Sequence, residues 1–295
     1  MSTKWTTADL PDLTGKTIVV TGATAGLGEV TTRELARVGA HVVIAVRNEQ
    51  KAADIVRGIG PTKGRIEVRH LDVADLASVR QFGRSWSEPV DVLINNAGIM
   101  QVPLTYTPDG LELQIATNYF GPFALTSALL PHITDRVVSL SSQLHRIGRA
   151  RVDDLNWKTR KYDDLAAYAD SKLAVVLFSN ELQRRLKAAN SHLRSITAHP
   201  GIAKTNLASH AGGLTGRINH LGPMLNTVEQ GALPTLYAAT QNIPGGSYVG
   251  PDGPASIKGH PKIRRPSRTA RNENVARDLW DETNRVVGDD LAFTI

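Results

Sequence analysis

The chain has no cysteine. That excludes disulfides, thiolate metal sites and cysteine nucleophiles together, and it fits a reducing, cytoplasmic compartment. No apolar run reaches the length needed to cross a bilayer. The first residues, MSTKWTTADLPDLTGK, hold no apolar core of the signal-peptide kind. A soluble protein is expected. Acidic residues are missing from Ala255 to Asn272, where Lys258, Lys262, Arg264, Arg265, Arg268 and Arg271 carry six positive charges. Those six equal the whole formal net charge of +6, so the rest of the chain is balanced. Nucleic-acid surfaces spread cations along a groove, often with aromatic side chains for stacking, and this stretch has no aromatic residue. It reads as a solvated arm or a packing strap, with no nucleic-acid partner.

What is present suits a globular enzyme. The 295 residues are 41% hydrophobic, enough for a sizeable core. No internal repeat, low-complexity segment or linker divides them, so one domain over 1–295 is expected.

Residues Lys16 to Gly28 read KTIVVTGATAGLG. Thr17 to Thr21 is a short β-branched run of the kind buried in a parallel sheet. Gly22, Gly26 and Gly28 follow, with Thr24 and Leu27 between them, and Glu29 to Val38 has helical composition. Strand, glycine turn and helix in that order is the setting of a phosphate-binding loop, in which anions meet free N–H groups at a helix N-terminus. The spacing is G-x-x-x-G-x-G. Gly22 allows a tight turn, Gly26 a close backbone approach to pyrophosphate, and Gly28 close helix–strand packing. His41 to Val46 forms the next strand. At its end, where NAD-binding folds carry a carboxylate for the ribose 2′-hydroxyl, stand Arg47 and Asn48. A guanidinium suits a 2′-phosphate, which points to NADP(H).

Strand and helix keep alternating. Strands are expected at Arg65 to Leu71, Val90 to Ile94, Arg136 to Leu140, Arg194 to Ala198 and Ser247 to Val249. Helices are expected at Asp75 to Trp86, Leu111 to Leu130, around Tyr168, at Thr227 to Thr240 and at Glu273 to Val287. The fold class is α/β, a doubly wound parallel sheet of about seven strands flanked by helices, with ligands at the strands' carboxyl ends. Tyr168 and Lys172 stand four residues apart in LAAYADSKLAVVLFSNEL, on one helix face. An ammonium held close favours the phenolate and prepares the phenol for proton transfer. His145 and His199 lack the spacing of metal ligands, and no metal is expected.

These motifs together resemble the short-chain dehydrogenase/reductase family: TGATAGLG from Thr21, NNAG from Asn95, Asn118, Ser142, YADSK from Tyr168 and PGIAKT from Pro200. AVRN at Ala45, SSQLHR from Ser141 and the tail from Pro266 to Leu279 are similar to its retinol-dehydrogenase-like and protochlorophyllide-reductase-like branch. Light-dependent protochlorophyllide reduction uses a cysteine in that branch, so its absence argues against that activity.

The resemblance implies a Rossmann-type oxidoreductase that interconverts a carbonyl and an alcohol. Tyr168 would be the acid or base, Lys172 would lower its pKa and hold the nicotinamide ribose, and Ser142 (or Ser141) would bind the substrate oxygen. Asn118 would hold a water linking Lys172 to solvent. The family also places adenine beside Asp72 and Val73, the adenosine ribose beside Asn96, Ala97 and Gly98, and the carboxamide near Ile202 and Thr205, with Pro200 and Gly201 also expected against the coenzyme. An insert at about 144–166, carrying Arg149, Arg151, Trp157 and Tyr162, would wall the substrate site. A glycine-rich lid at about 202–226 would close over it, followed by a basic tail over 252–295. The expected partner is a small carbonyl or alcohol, with a lipid-like or aromatic one open. No N-terminal membrane helix of the kind several members of the branch carry is expected. Family members are often homo-oligomers. A catalytically silent NADP-binding regulator is the alternative.

Overall fold

The computed structural model describes residues 4–202 and 225–293. Eight strands form one sheet in the order β3-β2-β1-β4-β5-β6-β7-β8. They are β1 Thr17–Thr21, β2 His41–Val46, β3 Arg65–His70, β4 Val90–Asn95, β5 Ile133–Leu140, β6 Arg194–Ala198, β7 Tyr248–Pro251 and β8 Pro261–Arg264. β1 to β7 are parallel, and β8 runs antiparallel to β7. The strand order reverses between β1 and β4, where such sheets open a ligand crevice.

The strand period of two sorts the core onto two faces. Val19, Val43, Leu93 and Val137 face one side, packed under helices α3 (Leu76–Arg84), α4 (113–129), α5 (Asp164–Ala188) and α7 (Glu273–Val287). Ile18, Val20, Ile44, Ile94, Val138 and Ile196 face the other, under α1 (Gly26–Arg37), α2 (Glu49–Ile59) and α6 (Val228–Thr240). Both faces are covered, which is why these strands read as continuous apolar runs.

Two elements differ from the sequence expectation. The eighth strand lies inside the basic stretch, which is therefore partly a sheet edge. Charged residues and proline are suited to an edge strand and hide its strand character. The expected helix from Leu111 to Leu130 is not uniform: α4 comprises an α-turn Leu113–Ile115, a π-turn Ala116–Phe120 and an α-helix Gly121–Leu129. Pro122 has no N–H to give the Asn118 carbonyl, the partner an α-helix requires. α7 is tied to α5 by an aromatic cluster in which Trp280 meets Phe178, Phe123 and Phe293. Among the described residues no helix is long and apolar enough to cross a membrane.

Candidate active site

The first wall of the site is the glycine turn after β1. Gly22 has φ +66°, and a Cβ there would lie 2.7 Å from the Ala97 Cα. A Cβ on Gly28 would lie 2.5 Å from Asn96 Nδ2 and 2.6 Å from the Gly22 carbonyl. Asn96 Nδ2 donates to the carbonyls of Thr21 (2.8 Å) and Gly22 (3.1 Å). Thr21 Oγ1 accepts the backbone N–H groups of Asn96 and Ala97, each at 3.0 Å. The turn and the NNAG segment are thus one rigid unit. Thr21 ties them together and carried no signal in sequence, because a strand threonine is ordinary. α1 begins at Gly26, and its N-cap, Ala25, offers no side-chain cap. The first N–H groups of α1 therefore lack the usual intramolecular acceptor, an arrangement suited to phosphate oxygens. Thr24 and Leu27 are half-buried on this turn.

At the end of β2, Arg47 is 69% exposed, with Nη1 4.0 Å from the Asp72 carboxylate. Asn48 caps α2 by accepting the Lys51 N–H at 2.8 Å, so its side-chain oxygen is already engaged. Asp72 accepts the Ala74 N–H at 2.9 Å. Val73 packs its carbonyl on Gly121, where a Cβ could not fit.

Tyr168 and Lys172 lie one turn apart on α5, each 4% exposed. The sequence leads one to expect the ammonium to draw the phenol toward ionisation. The net direction is the opposite: burial pushes Tyr168 up to about 12, only partly opposed by a hydrogen bond with Ser142. Lys172 Nζ sits 5.7 Å from the phenol ring centroid and donates to the Leu140 carbonyl at 3.1 Å. Burial lowers Lys172 to about 8. Loss of water outweighs attraction at that range.

The hydroxyl that meets Tyr168 belongs to Ser142, since Ser141 Oγ donates to the Lys172 carbonyl at 2.7 Å. Ser142 lies just beyond the carboxyl end of β5 and caps a short 3-10 turn, Gln143–Arg146. Asn118 is buried, and its side chain is engaged on both the amide nitrogen and the oxygen. Oδ1 accepts the Ile99 N–H (2.9 Å), and Nδ2 donates to Ile99 O (3.0 Å) and Ser171 Oγ (2.9 Å). Ser171 is a second residue that sequence reasoning missed. A Cβ on Gly98 would lie 3.1 Å from both Asn118 Oδ1 and Lys172 Nζ, so Gly98 faces the pair directly.

Gly201 has φ +72°. Next to it, Ile202 is held by its N–H on the Ile257 carbonyl (3.0 Å) and by the Asn226 N–H on its own carbonyl (2.9 Å). Pro200 accepts from Asn226 Nδ2 at 2.9 Å. Thr205 and most of the expected lid lie outside the described residues. In the insert, Arg160 stacks over Trp157 at 3.5 Å and pairs with Asp154 and Asp170. The Tyr162 hydroxyl lies 3.1 Å from Val102 O and 3.0 Å from the Glu112 carboxylate. Trp157 and Tyr162 thus brace the insert, while Arg149 and Arg151 are exposed. Among the described residues no group of three or more His, Cys, Asp or Glu could hold a metal ion.

A sequence profile of short chain dehydrogenases matches residues 16–212. The chain belongs to the short chain dehydrogenase family. It is 41% identical to human retinol dehydrogenase 13, over 93% of this chain and 85% of that protein. It is 37% identical to mouse polyprenol dehydrogenase, over 95% and 86%. These similarities put this short chain dehydrogenase in the retinol-dehydrogenase-like branch. A crystal structure of an uncharacterised protein from Mycobacterium paratuberculosis matches with a TM-score of 0.84 at 46% identity, covering 97% of this chain and 98% of that one. A proposed NAD(P) dependent gluconate 5-dehydrogenase from Beutenbergia cavernae, with bound NADP, matches at 0.59 and 26% identity, covering 78% and 91%. The family consists of oxidoreductases acting on alcohols and carbonyls, and this chain is one of them.

Proposed function

We propose that this protein is an NADP(H)-dependent oxidoreductase that interconverts an apolar aldehyde or ketone and its alcohol by hydride transfer. The observation that carries the reading is a buried, neutral Tyr168 phenol paired with Ser142 and one helical turn from Lys172, at the carboxyl ends of the central strands. The glycine cradle fits a dinucleotide, since Gly22 and Gly28 stand where any Cβ would collide and the N-terminus of α1 has no side-chain cap. Gly22, Thr24, Gly26, Leu27 and Gly28 would hold the pyrophosphate. Asn96, Ala97 and Gly98 would border the adenosine ribose, Asp72 and Val73 the adenine, and Pro200 to Ile202 the carboxamide. Arg47 would face the 2′-phosphate, with Asn48 beside it. The exposed guanidinium supports NADP(H) over NAD(H), because Asp72 engages it only at 4.0 Å.

When bound, the coenzyme supplies or accepts the hydride. Ser142 would donate a hydrogen bond to the substrate oxygen as negative charge grows there. Tyr168 would deliver the proton to that oxygen in reduction. A phenol held near 12 stays protonated at neutral pH and is ready to donate. Lys172 would hold the ribose hydroxyls. A water linking Lys172 to solvent would be held by the Asn118 backbone carbonyl, because the side chain is engaged and Pro122 offers no N–H. The similarity to retinol and polyprenol dehydrogenases supports a long apolar isoprenoid-type alcohol or aldehyde as substrate. The absence of cysteine supports a reducing compartment such as the cytoplasm.

The test is fluorescence titration with NADPH and NADH, followed by turnover of retinal and shorter isoprenoid aldehydes with the tighter coenzyme. NADPH binding at least about tenfold tighter, with aldehyde-dependent oxidation of NADPH, is expected. Arg47→Ala should remove most of the difference. Tight NADPH binding with no turnover on any aldehyde would favour a silent coenzyme-binding regulator instead.

A further inference from the structure

Two buried histidines and a tyrosine lie beside the site and take no part in the chemistry above. His145 is fully buried and has both ring nitrogens engaged. Nδ1 lies 2.7 Å from the Ser142 carbonyl, which can only accept, so Nδ1 carries the proton. Nε2 lies 3.1 Å from the Ser267 N–H, which can only donate, so Nε2 is the acceptor. The two partners together select one neutral tautomer, and burial lowers His145 to about 4. The Ser142 carbonyl also accepts the backbone N–H of His145 at 3.1 Å. A single residue therefore occupies both lone pairs of the carbonyl on the serine that meets Tyr168.

The turn after Ser142 is docked on the C-terminal segment through three side chains. Gln143 Nε2 donates to Ala255 O (2.8 Å), His145 accepts from Ser267, and Arg146 Nη2 donates to Arg265 O (2.8 Å). The Tyr248 ring, on β7, stacks on His199 at 5.1 Å and brings its hydroxyl 3.3 Å from His145 Nδ1. The segment with six cations thus supplies backbone groups to a latch beside the catalytic serine.

We propose that His145 is a positioning residue: its Nδ1–H locks the Ser142 carbonyl so that the serine hydroxyl stays on Tyr168 and on the substrate oxygen. This inference rests on the oxidoreductase reading. Its two bonds can be separated by side chains of different reach. His145→Asn places an amide N–H near the Nδ1 position and keeps the bond to the Ser142 carbonyl, losing Ser267. His145→Gln reaches the Nε2 position and keeps Ser267, losing the bond to Ser142.

The experiment measures kcat and KM for retinal with NADPH, NADPH affinity by fluorescence titration, and Tm. The proteins are the parent, H145N, H145Q and the reference Tyr168→Phe. The result expected is a kcat for H145Q about tenfold to a hundredfold below the parent. H145N should stay within about threefold of the parent, and KM and NADPH affinity should hold within about twofold in both. H145N reducing retinal as poorly as H145Q would overturn the proposal, because a packing role predicts equal losses that follow Tm. So would parental kcat in H145Q while Tyr168→Phe is inactive, an outcome that leaves the oxidoreductase reading standing. A parent that reduces no aldehyde would overturn the oxidoreductase reading and this proposal with it.

Discussion

Lys172 is almost wholly buried, and replacing it with methionine separates its function from its effect on stability. Burial moves the ammonium from its ordinary 10.5 to about 8. At about 1.4 kcal/mol per pH unit, that corresponds to a cost of roughly 3 kcal/mol to the folded state wherever the lysine is charged in both states. The cost is fully present below about pH 8. Between about pH 8 and 10.5 the folded protein releases the proton while the unfolded chain keeps it, so parent stability climbs with pH relative to Lys172→Met. The bond to the Leu140 carbonyl offsets part of the gain on substitution, by about 1 kcal/mol. Lys172→Met should therefore be roughly 1–2 kcal/mol more stable than the parent near neutral pH, and catalytically dead. Urea unfolding of both proteins at several values between about pH 7 and 10 reads both effects. The gap should close and then reverse as pH rises. A variant less stable than the parent at neutral pH, or two parallel stability curves, would refute the buried-charge argument.

Two further predictions concern the phenol and the cradle. Because Tyr168 is pushed up to about 12, the aldehyde-reduction rate should stay level through neutral pH. Alcohol oxidation needs the ionised form and should rise nearly tenfold per pH unit over the same range, as read from initial rates in both directions. A plateau in oxidation beginning near neutral pH would show that the phenol titrates far lower. Gly28→Ala places a Cβ 2.5 Å from Asn96 Nδ2 and 2.6 Å from the Gly22 carbonyl. It should cost about 1–3 kcal/mol of stability and weaken NADPH binding, as measured by unfolding and titration.

Much of this fold was legible because buried parallel strands leave a strong pattern. β1, β2, β6 and α7 have the limits expected from their apolar runs and flanking breakers. β8 was hidden because Pro261, Lys262 and Arg264 obey the rules of an edge, which resemble those of a loop. The π-turn around Asn118 was hidden because its cause, Pro122, acts on a carbonyl four residues earlier. Residue types at the site could be read from motifs, while their electrostatics could not. Tyr168 and Lys172 share a helix face, yet Nζ turns to the Leu140 carbonyl, and only packing shows that burial prevails over attraction. Motif alignment alone favoured Ser142 over Ser141, and the structure adds a physical distinction, because Ser141 is engaged by the Lys172 carbonyl. His145 gave only the weak signal of a histidine without ligand spacing, because its partners, Ser142 O and Ser267 N, are backbone atoms.

The central claim is that the Tyr168 hydroxyl delivers the proton during hydride transfer. The most direct measurement compares parent and Tyr168→Phe for oxidation of NADPH by retinal, with NADPH affinity titrated on the same samples. The account predicts unchanged affinity, within about twofold, and a fall in kcat of at least about a hundredfold. A Phe variant that reduces the aldehyde at the parental rate would contradict it.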